Sequence, residues 1–142
     1  YGKGWLIDEL VELLSVRGYK NVIVNGGGDL RVANDEPIEF ALQHPHNARQ
    51  KIGSTRIENG ALAGSATAKR TWNHAGKTHH HIVDPKKGES LTNDVAATFV
   101  QAPTALVADT LATIVMIRPE LKTALEHRYD AKISILYSNR LR

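Results

Sequence analysis

A carboxylate and a hydroxyl stand four residues apart in the most apolar stretch of the sequence. Asp109 and Thr113 belong to the segment 104–117, which is apolar on nearly every side of the helix that it predicts. A spacing of i and i+4 brings both oxygens to one helix face, and a buried carboxylate requires a cation or hydrogen-bond donors. The pair suits Mg²⁺, which accepts further oxygens from water and a substrate phosphate. The same spacing also fits an Asp bonded to a neighbouring strand and a Thr bonded to a backbone carbonyl.

A run of three histidines forms the second candidate site. On a strand, His79 and His81 share one face and His80 points the other way, so the three cannot chelate one ion together. A zinc site would need His74 or a distant carboxylate as well. A single histidine at a strand end could act as a general base, because the imidazole pKa lies near neutrality. The alternative is a surface histidine on a hairpin.

Two segments of small residues could bring a ligand close to the backbone. The segment 25–29, Asn-Gly-Gly-Gly-Asp, could cradle a phosphate with its N–H groups or form a tight turn that requires positive φ. A strand pattern follows it, whereas phosphate-binding loops lead into a helix N-terminus. Gly64 to Thr67 would allow close approach of a ligand or close packing against a helix.

The elements that position these residues follow from the hydrophobic periodicity. An amphipathic helix is predicted over 3–16, a buried helix over 104–117 and a further helix over 119–129. Strands are predicted over 21–24, 30–33, 38–42, 51–57, 61–66, 69–73, 95–101 and 131–137, with a hairpin between 70 and 83 that ends at Asp84 and Pro85. The order of helix, strands, helices and strand predicts an α+β domain with a mainly antiparallel sheet.

Composition limits the class of protein. The 142 residues are 42% hydrophobic and 23% charged, which predicts one packed domain. The formal net charge is only +3 and the basic residues are scattered, so a nucleic-acid partner is not expected. The absence of cysteine excludes disulfides and thiolate chemistry within this chain.

The ends of the sequence and its apolar runs bear on its context. The first residue is Tyr1 and not Met, so we expect that an upstream segment has been removed. The longest apolar run, 111–117, is far shorter than the roughly 20 residues of a membrane-spanning helix.

Four short motifs stand in a fixed order between residue 3 and about residue 136 and match the pattern of a known family. Two of them, at 81–88 and 108–113, are specific. The matching residues are Lys3, Gly4, Trp5 and Asp8; Val24, Asn25, Gly27, Gly28 and Asp29; His81, Ile82, Val83, Asp84, Pro85 and Gly88; and Ala108, Asp109 and Thr113. Taken together, these motifs resemble the ApbE family of flavin transferases. Where many members of that family have Thr-Ser-Gly, this chain has Gly64, Ser65 and Ala66.

The resemblance implies a fold, a reaction and a set of residues. Members bind FAD with Mg²⁺ and transfer FMN to a Thr or Ser hydroxyl of a target flavoprotein, releasing AMP. By resemblance, Asp109 and Thr113 bind magnesium, Lys3 and Ile82 line the flavin site, and His81 is the catalytic residue. The acceptor is expected to be a flavoprotein subunit of a membrane redox complex or a similar protein. Family habit favours the extracytoplasmic face of a bacterial membrane.

The resemblance also implies that residues 1–142 are the C-terminal part of the family's domain. The missing N-terminal half of the same protein would contribute flavin contacts and, just before Lys3, a further metal ligand. A metal-dependent FAD pyrophosphatase, which splits FAD into FMN and AMP with water as the acceptor, is the alternative enzyme. A flavin-binding module without catalysis is the alternative outside the enzymes.

Overall fold

Three helices and a set of antiparallel strands make up the described part of the chain. The computed structural model describes residues 2–140, without the side chains of Ala48, Lys69 and Arg140. The helices are α1 (Gly2–Val16), α2 (Ala105–Ile117) and α3 (Lys122–Tyr129). The strands are β1 (Val22–Asn25), β2 (Leu30–His44), β3 (Asn47–Ala66), β4 (Thr71–His74), β5 (Lys77–His80), β6 (Val83–Asp84), β7 (Glu89–Ser90), β8 (Val95–Ala102) and β9 (Lys132–Tyr137). Short 3-10 turns occur at Thr67–Lys69, Pro119–Leu121 and Ser138–Arg140.

A five-stranded sheet is the centre of the fold. Its order is β1-β2-β3-β8-β9, and every neighbouring pair is antiparallel. The prediction of an α+β chain with a mainly antiparallel sheet is therefore confirmed. The predicted helices are also present, although the last one starts with the 3-10 turn before α3.

One long hairpin replaces four separate predicted strands. The predicted segments 30–33 and 38–42 lie in β2, and 51–57 and 61–66 lie in β3. Pro37 falls in the interval where the register between the two strands shifts, so its missing N–H does not interrupt the ladder. Gly60 pairs with Val32 inside the hairpin, in a place where a Cβ would meet the carbonyl oxygen of Ala102 at 3.1 Å. The proline and the glycine are thus accommodated within the strands and do not end them.

Two small hairpins stand between β3 and β8. β4 pairs with β5 around Ala75 and Gly76, which both have positive φ as a tight hairpin turn requires. The prediction that this hairpin ends at Asp84 and Pro85 is wrong, because it ends at His80 and Asp84 belongs to the second hairpin, β6–β7.

The helix α2 packs one side against the sheet. Ala105, Ala108, Leu111, Ala112 and Val115 form its buried stripe together with Met116, and the small size of the three alanines lets the helix lie close to β3 and β8. The buried Thr98 on β8 donates a hydrogen bond of 2.8 Å to the carbonyl of Ala112. The prediction of a helix buried on nearly every side is wrong, because Asp109 is half-buried and Thr113 is exposed.

The start of α1 is fastened to the start of α2. The Asp8 carboxylate accepts hydrogen bonds from the backbone N–H groups of Ala105 and Leu106, both at 2.8 Å. Thr104 caps the same helix end by accepting from Val107 N–H at 3.3 Å. A Cβ on Gly4 would lie 2.5 Å from the Ala105 carbonyl oxygen, so only glycine allows this approach. One side chain of α1 therefore caps the N-terminus of α2.

The opposite side of α1 carries exposed apolar side chains. Its buried residues are Gly4, Ile7 and Val11. Large apolar side chains on the other faces are exposed, namely Trp5, Leu6, Leu10, Leu13 and Val16. The amphipathic pattern is thus only partly satisfied by contacts within the described residues. No described helix combines the length and the apolar character that crossing a membrane would require.

The Asp8 cap makes a direct prediction about stability. Asp8→Ala leaves the first two N–H groups of α2 without their acceptor, and we expect the free energy of unfolding to fall by about 1–3 kcal/mol. Glu12→Ala, on an exposed position of the same helix, should change it by no more than about 0.5 kcal/mol. Urea unfolding of the full-length protein and both variants measures the difference. Equal, small effects of the two substitutions would contradict the capping role.

Candidate functional site

An open cavity of about 340 Å³ lies where α1, α2 and the end of β3 meet the segment between β5 and β6. All five residues singled out from the sequence line it: Lys3, His81, Ile82, Asp109 and Thr113. Gly27, Asp29, Gly64, Ser65, Ala66 and Arg70 complete its lining. Positions more than a hundred residues apart in the sequence therefore converge on one cavity of a size typical of ligand sites.

The two residues of α2 lie on the open side of the helix. The hydroxyl of Thr113 is 3.4 Å from the carbonyl oxygen of Asp109 and 3.5 Å from the hydroxyl of Ser65. The first contact is the one that the backbone-bonding alternative for Thr113 predicts, but both distances are long for O–H···O hydrogen bonds. The Thr113 hydroxyl is therefore weakly held and accessible from the cavity.

The groups that could bind a cation here are oxygens. The Asp109 carboxylate and the hydroxyls of Thr113 and Ser65 line the same cavity, and such oxygen donors suit Mg²⁺ better than zinc. Within residues 2–140, apart from the undescribed side chains, no three His, Cys, Asp or Glu residues form a metal-binding group. A magnesium ion would take its remaining ligands from water or a phosphate, as Mg²⁺ commonly does.

The glycine-rich segment forms a tight turn between β1 and β2. The Asn25 side-chain oxygen accepts from the N–H groups of Gly27 and Gly28, both at 3.0 Å, and Gly26 N–H donates to the Asp29 carbonyl at 2.8 Å. Gly27 and Gly28 have φ values of +82° and +113°, which favour glycine. Because the side chain of Asn25 already occupies these two N–H groups, the geometry favours the turn over the phosphate cradle.

Asp29, at the end of this turn, is a buried charge in the wall of the cavity. The residue is 3% exposed. One carboxylate oxygen forms an ion pair with the Lys3 ammonium, and the other accepts from the N–H of Gly64 at 3.3 Å. β2 pairs with β3 only as far as Leu30 and Leu62, so the Asp29 side chain takes the place of a strand partner beyond that point.

The three consecutive histidines have three different environments. His79 stacks on Trp72 across the β4–β5 hairpin, with 6.0 Å between ring centroids. His80 Nε2 donates to the Leu91 carbonyl at 2.9 Å, and the His80 backbone exchanges two 3.0 Å hydrogen bonds with the Ser90 hydroxyl. His81 is exposed and lines the cavity. His81 is therefore the histidine of the run that is placed for chemistry in the cavity.

Ile82 fixes the position of His81. It is 6% exposed and belongs to an apolar cluster with Val95 and Met116. Its carbonyl accepts from Leu91 N–H at 2.9 Å. Because most of its side chain is in the core, Ile82 presents little surface to a flavin and serves mainly as an anchor for the cavity wall.

Charged and hydroxyl groups for which the sequence predicted no individual role also line the cavity. The carboxylate of Asp29, the Ser65 hydroxyl and the Arg70 guanidinium are the additions. The lysine, the arginine and the two aspartates give formal charges of +2 and −2, so the cavity itself has no excess of positive charge. A polyanionic ligand would gain from a bound cation in such a site.

Comparisons with known proteins agree with this fold. The ApbE protein of Thermotoga maritima superposes with a TM-score of 0.85 over 96% of this chain and 47% of its own, at 23% sequence identity. The flavin transferase ApbE from Vibrio cholerae gives a TM-score of 0.73 over 95% of this chain and 44% of its own, at 25% identity. The prediction of an ApbE-like fold is thus confirmed.

The sequence comparisons define the family. The sequence model described as the ApbE family matches residues 1–134, and the chain therefore belongs to the ApbE family. It is 30% identical over 124 residues to a protein of Vibrio cholerae named FAD:protein FMN transferase, covering 83% of this chain and 37% of that protein. An Escherichia coli K12 protein of the same name is 30% identical over 121 residues, covering 82% and 34%. The chain thus spans little more than a third of the length of these relatives.

Proposed function

We propose that this chain is the C-terminal part of a flavin transferase that moves FMN from FAD to a Thr or Ser hydroxyl of an acceptor protein and releases AMP. The observation that carries the proposal is the convergence of His81, Asp109, Thr113 and Lys3 on one cavity in a chain of the ApbE family. The name of the two relatives, FAD:protein FMN transferase, supports this choice of reaction.

The phosphates of FAD would bind beside α2. Asp109 and Thr113 would hold Mg²⁺, which when bound offsets negative charge on the pyrophosphate and on the departing AMP. The Arg70 guanidinium and the Lys3 ammonium supply fixed positive charges at the same cavity, and guanidinium groups match phosphate oxygens well. Lys3 and the backbone around Ile82 would border the flavin half.

His81 would activate the acceptor. Its imidazole takes the proton from the acceptor hydroxyl, while the hydroxyl oxygen forms a bond to the phosphorus of the FMN half. The bond from that phosphorus to the bridging oxygen breaks, and AMP leaves with that oxygen. The apolar packing of Ile82 and the hydrogen bond from His80 to the Leu91 carbonyl hold the His81 backbone in place during this transfer.

The other participants are proposed from the resemblance to the family. The acceptor would be a flavoprotein, and the N-terminal part of the same protein would complete the flavin site and the metal coordination. An extracytoplasmic position at a bacterial membrane would fit such an acceptor.

Transfer is tested by mass spectrometry. The full-length protein is incubated with FAD, Mg²⁺ and a candidate flavoprotein subunit, and the subunit should gain the mass of FMN less one water, as expected for a phosphoester, while AMP appears. Consumption of FAD with no mass gain on any acceptor would contradict transfer and identify a pyrophosphatase. Binding of FAD without turnover would identify a flavin-binding module.

The role of His81 predicts a large kinetic effect. His81→Ala should leave FAD binding largely intact and slow FMN transfer by about two to four orders of magnitude, the range for loss of a general base. His79→Ala is the matched control, because His79 packs on Trp72 and should affect transfer only mildly. Transfer by His81→Ala at a rate close to that of the wild type would remove this histidine from the mechanism.

The role of Asp109 predicts a change in ligand-linked stability. Mg²⁺ and FAD together should raise the thermal unfolding midpoint of the wild type, because ligands stabilise the state that binds them. Asp109→Ala should lose most of this increase, since hydroxyls alone bind Mg²⁺ poorly. Thr110→Ala, one position along α2, is the control and should keep it. An undiminished increase in Asp109→Ala would contradict the magnesium site.

A further inference from the structure

The buried Asp29 carboxylate has the same sign of charge as the phosphates of FAD, the ligand that the cavity is proposed to bind. Asp29 lines the same cavity as Asp109 and His81 and is 3% exposed. An unpaired carboxylate there would repel the phosphates of FAD, and the low surrounding dielectric would strengthen the repulsion. A buried charge is also costly to the fold unless it is paired and hydrogen-bonded.

Lys3 balances the negative charge of Asp29. Its ammonium pairs with one Asp29 oxygen, and its side chain is 49% exposed whereas that of Asp29 is 4% exposed. The lysine therefore bridges the buried carboxylate and the open cavity. Its backbone is well fixed, because it precedes Gly4, which packs on Ala105, in the first turn of α1.

The second Asp29 oxygen has a separate structural task. It accepts from Gly64 N–H on the stretch of β3 that extends past its pairing with β2. An amide side chain could accept this hydrogen bond as well as a carboxylate, but it could not balance the charge of Lys3. The structural and electrostatic functions of Asp29 can thus be separated by Asp29→Asn.

We infer that Asp29 is a positioning residue that holds the Lys3 ammonium at the cavity, and that Lys3 in turn neutralises Asp29 so that the cavity accepts an anion. The anion-binding part of this inference rests on the proposed function. The pairing itself does not, because it follows from burial and charge. The loss of Lys3 should therefore do more than remove a contact to FAD, since it leaves an uncompensated carboxylate beside the phosphates.

The inference predicts reciprocal rescue between two substitutions. Lys3→Met should lower the unfolding midpoint without FAD and weaken FAD binding about tenfold or more. Asp29→Asn should keep the midpoint near that of the wild type and weaken FAD binding less. The variant that combines Lys3→Met and Asp29→Asn should have a higher unfolding midpoint than Lys3→Met alone and should bind FAD more tightly than Lys3→Met alone, because neither charge of the pair is left unpaired. Lys3→Arg should retain most of the binding.

The experiment uses differential scanning fluorimetry and FAD titration of the full-length protein with Mg²⁺. Lys20→Met, an exposed lysine just after α1, controls for the loss of one positive charge and should match the wild type. A double variant no better than Lys3→Met in midpoint and in FAD affinity would overturn the inference. A wild type that binds no FAD would instead contradict the proposed function, and the midpoints without FAD would then decide the pairing on their own.

Discussion

The arrangement of the site depends on the hydrogen bonds between the Asp8 carboxylate and the first N–H groups of α2. A helix N-terminus exposes N–H groups that have no partner within the helix. In α2, two of these groups donate hydrogen bonds to the Asp8 carboxylate of α1. The negative charge also complements the dipole of α2. Because Gly4 permits close contact at the same point, the two helices have a defined relative position. Lys3 on α1 and Asp109 on α2 consequently line one cavity.

The second constraint is the unequal length of neighbouring strands. β3 continues to Ala66, while its pairing with β2 stops at Leu62. On its other side, β3 stays paired with β8 as far as Ala66. The segment from Gly64 to Ala66 therefore has no β2 partner along one edge. At Gly64 the backbone N–H donates to the Asp29 carboxylate instead. Small side chains keep this edge open, so that a ligand can approach the backbone beside Ser65 and Thr113.

Much of the site could be predicted from local sequence patterns. The i and i+4 spacing placed Asp109 and Thr113 on one side of a helix. The prediction that His79 and His81 share a strand face is wrong, because β5 ends at His80 and only His81 lines the cavity. The prediction for Asp109 and Thr113 succeeded because it depends on the period of one element. Asp29 and Ser65 lay in segments that the sequence had indicated but were given no role of their own, and Arg70 was not predicted at the site. The roles of all three arise from contacts between elements distant in sequence. The signal for Asp29 was a carboxylate that ends a glycine-rich turn directly before a strand whose first residue is buried.

The errors in the predicted fold have physical reasons. Proline and glycine in a sequence usually indicate the end of a strand. In this chain a register shift accommodates Pro37, and close packing against Ala102 requires Gly60. The apolar segment 104–117 suggested full burial, yet one side of α2 borders the open cavity. Apolar content alone does not distinguish a surrounded helix from one whose polar side chains face a site.

A crystal structure of the full-length protein with FAD and Mg²⁺ would test the central claim most directly, which is that the residues gathered by the two helices bind one dinucleotide. We expect the pyrophosphate at the cavity, with Mg²⁺ about 2.0–2.1 Å from oxygens of Asp109 and Thr113, the Lys3 ammonium still paired with Asp29, and His81 beside the phosphate of the FMN half. FAD bound elsewhere, or a magnesium ion held without Asp109, would contradict the claim.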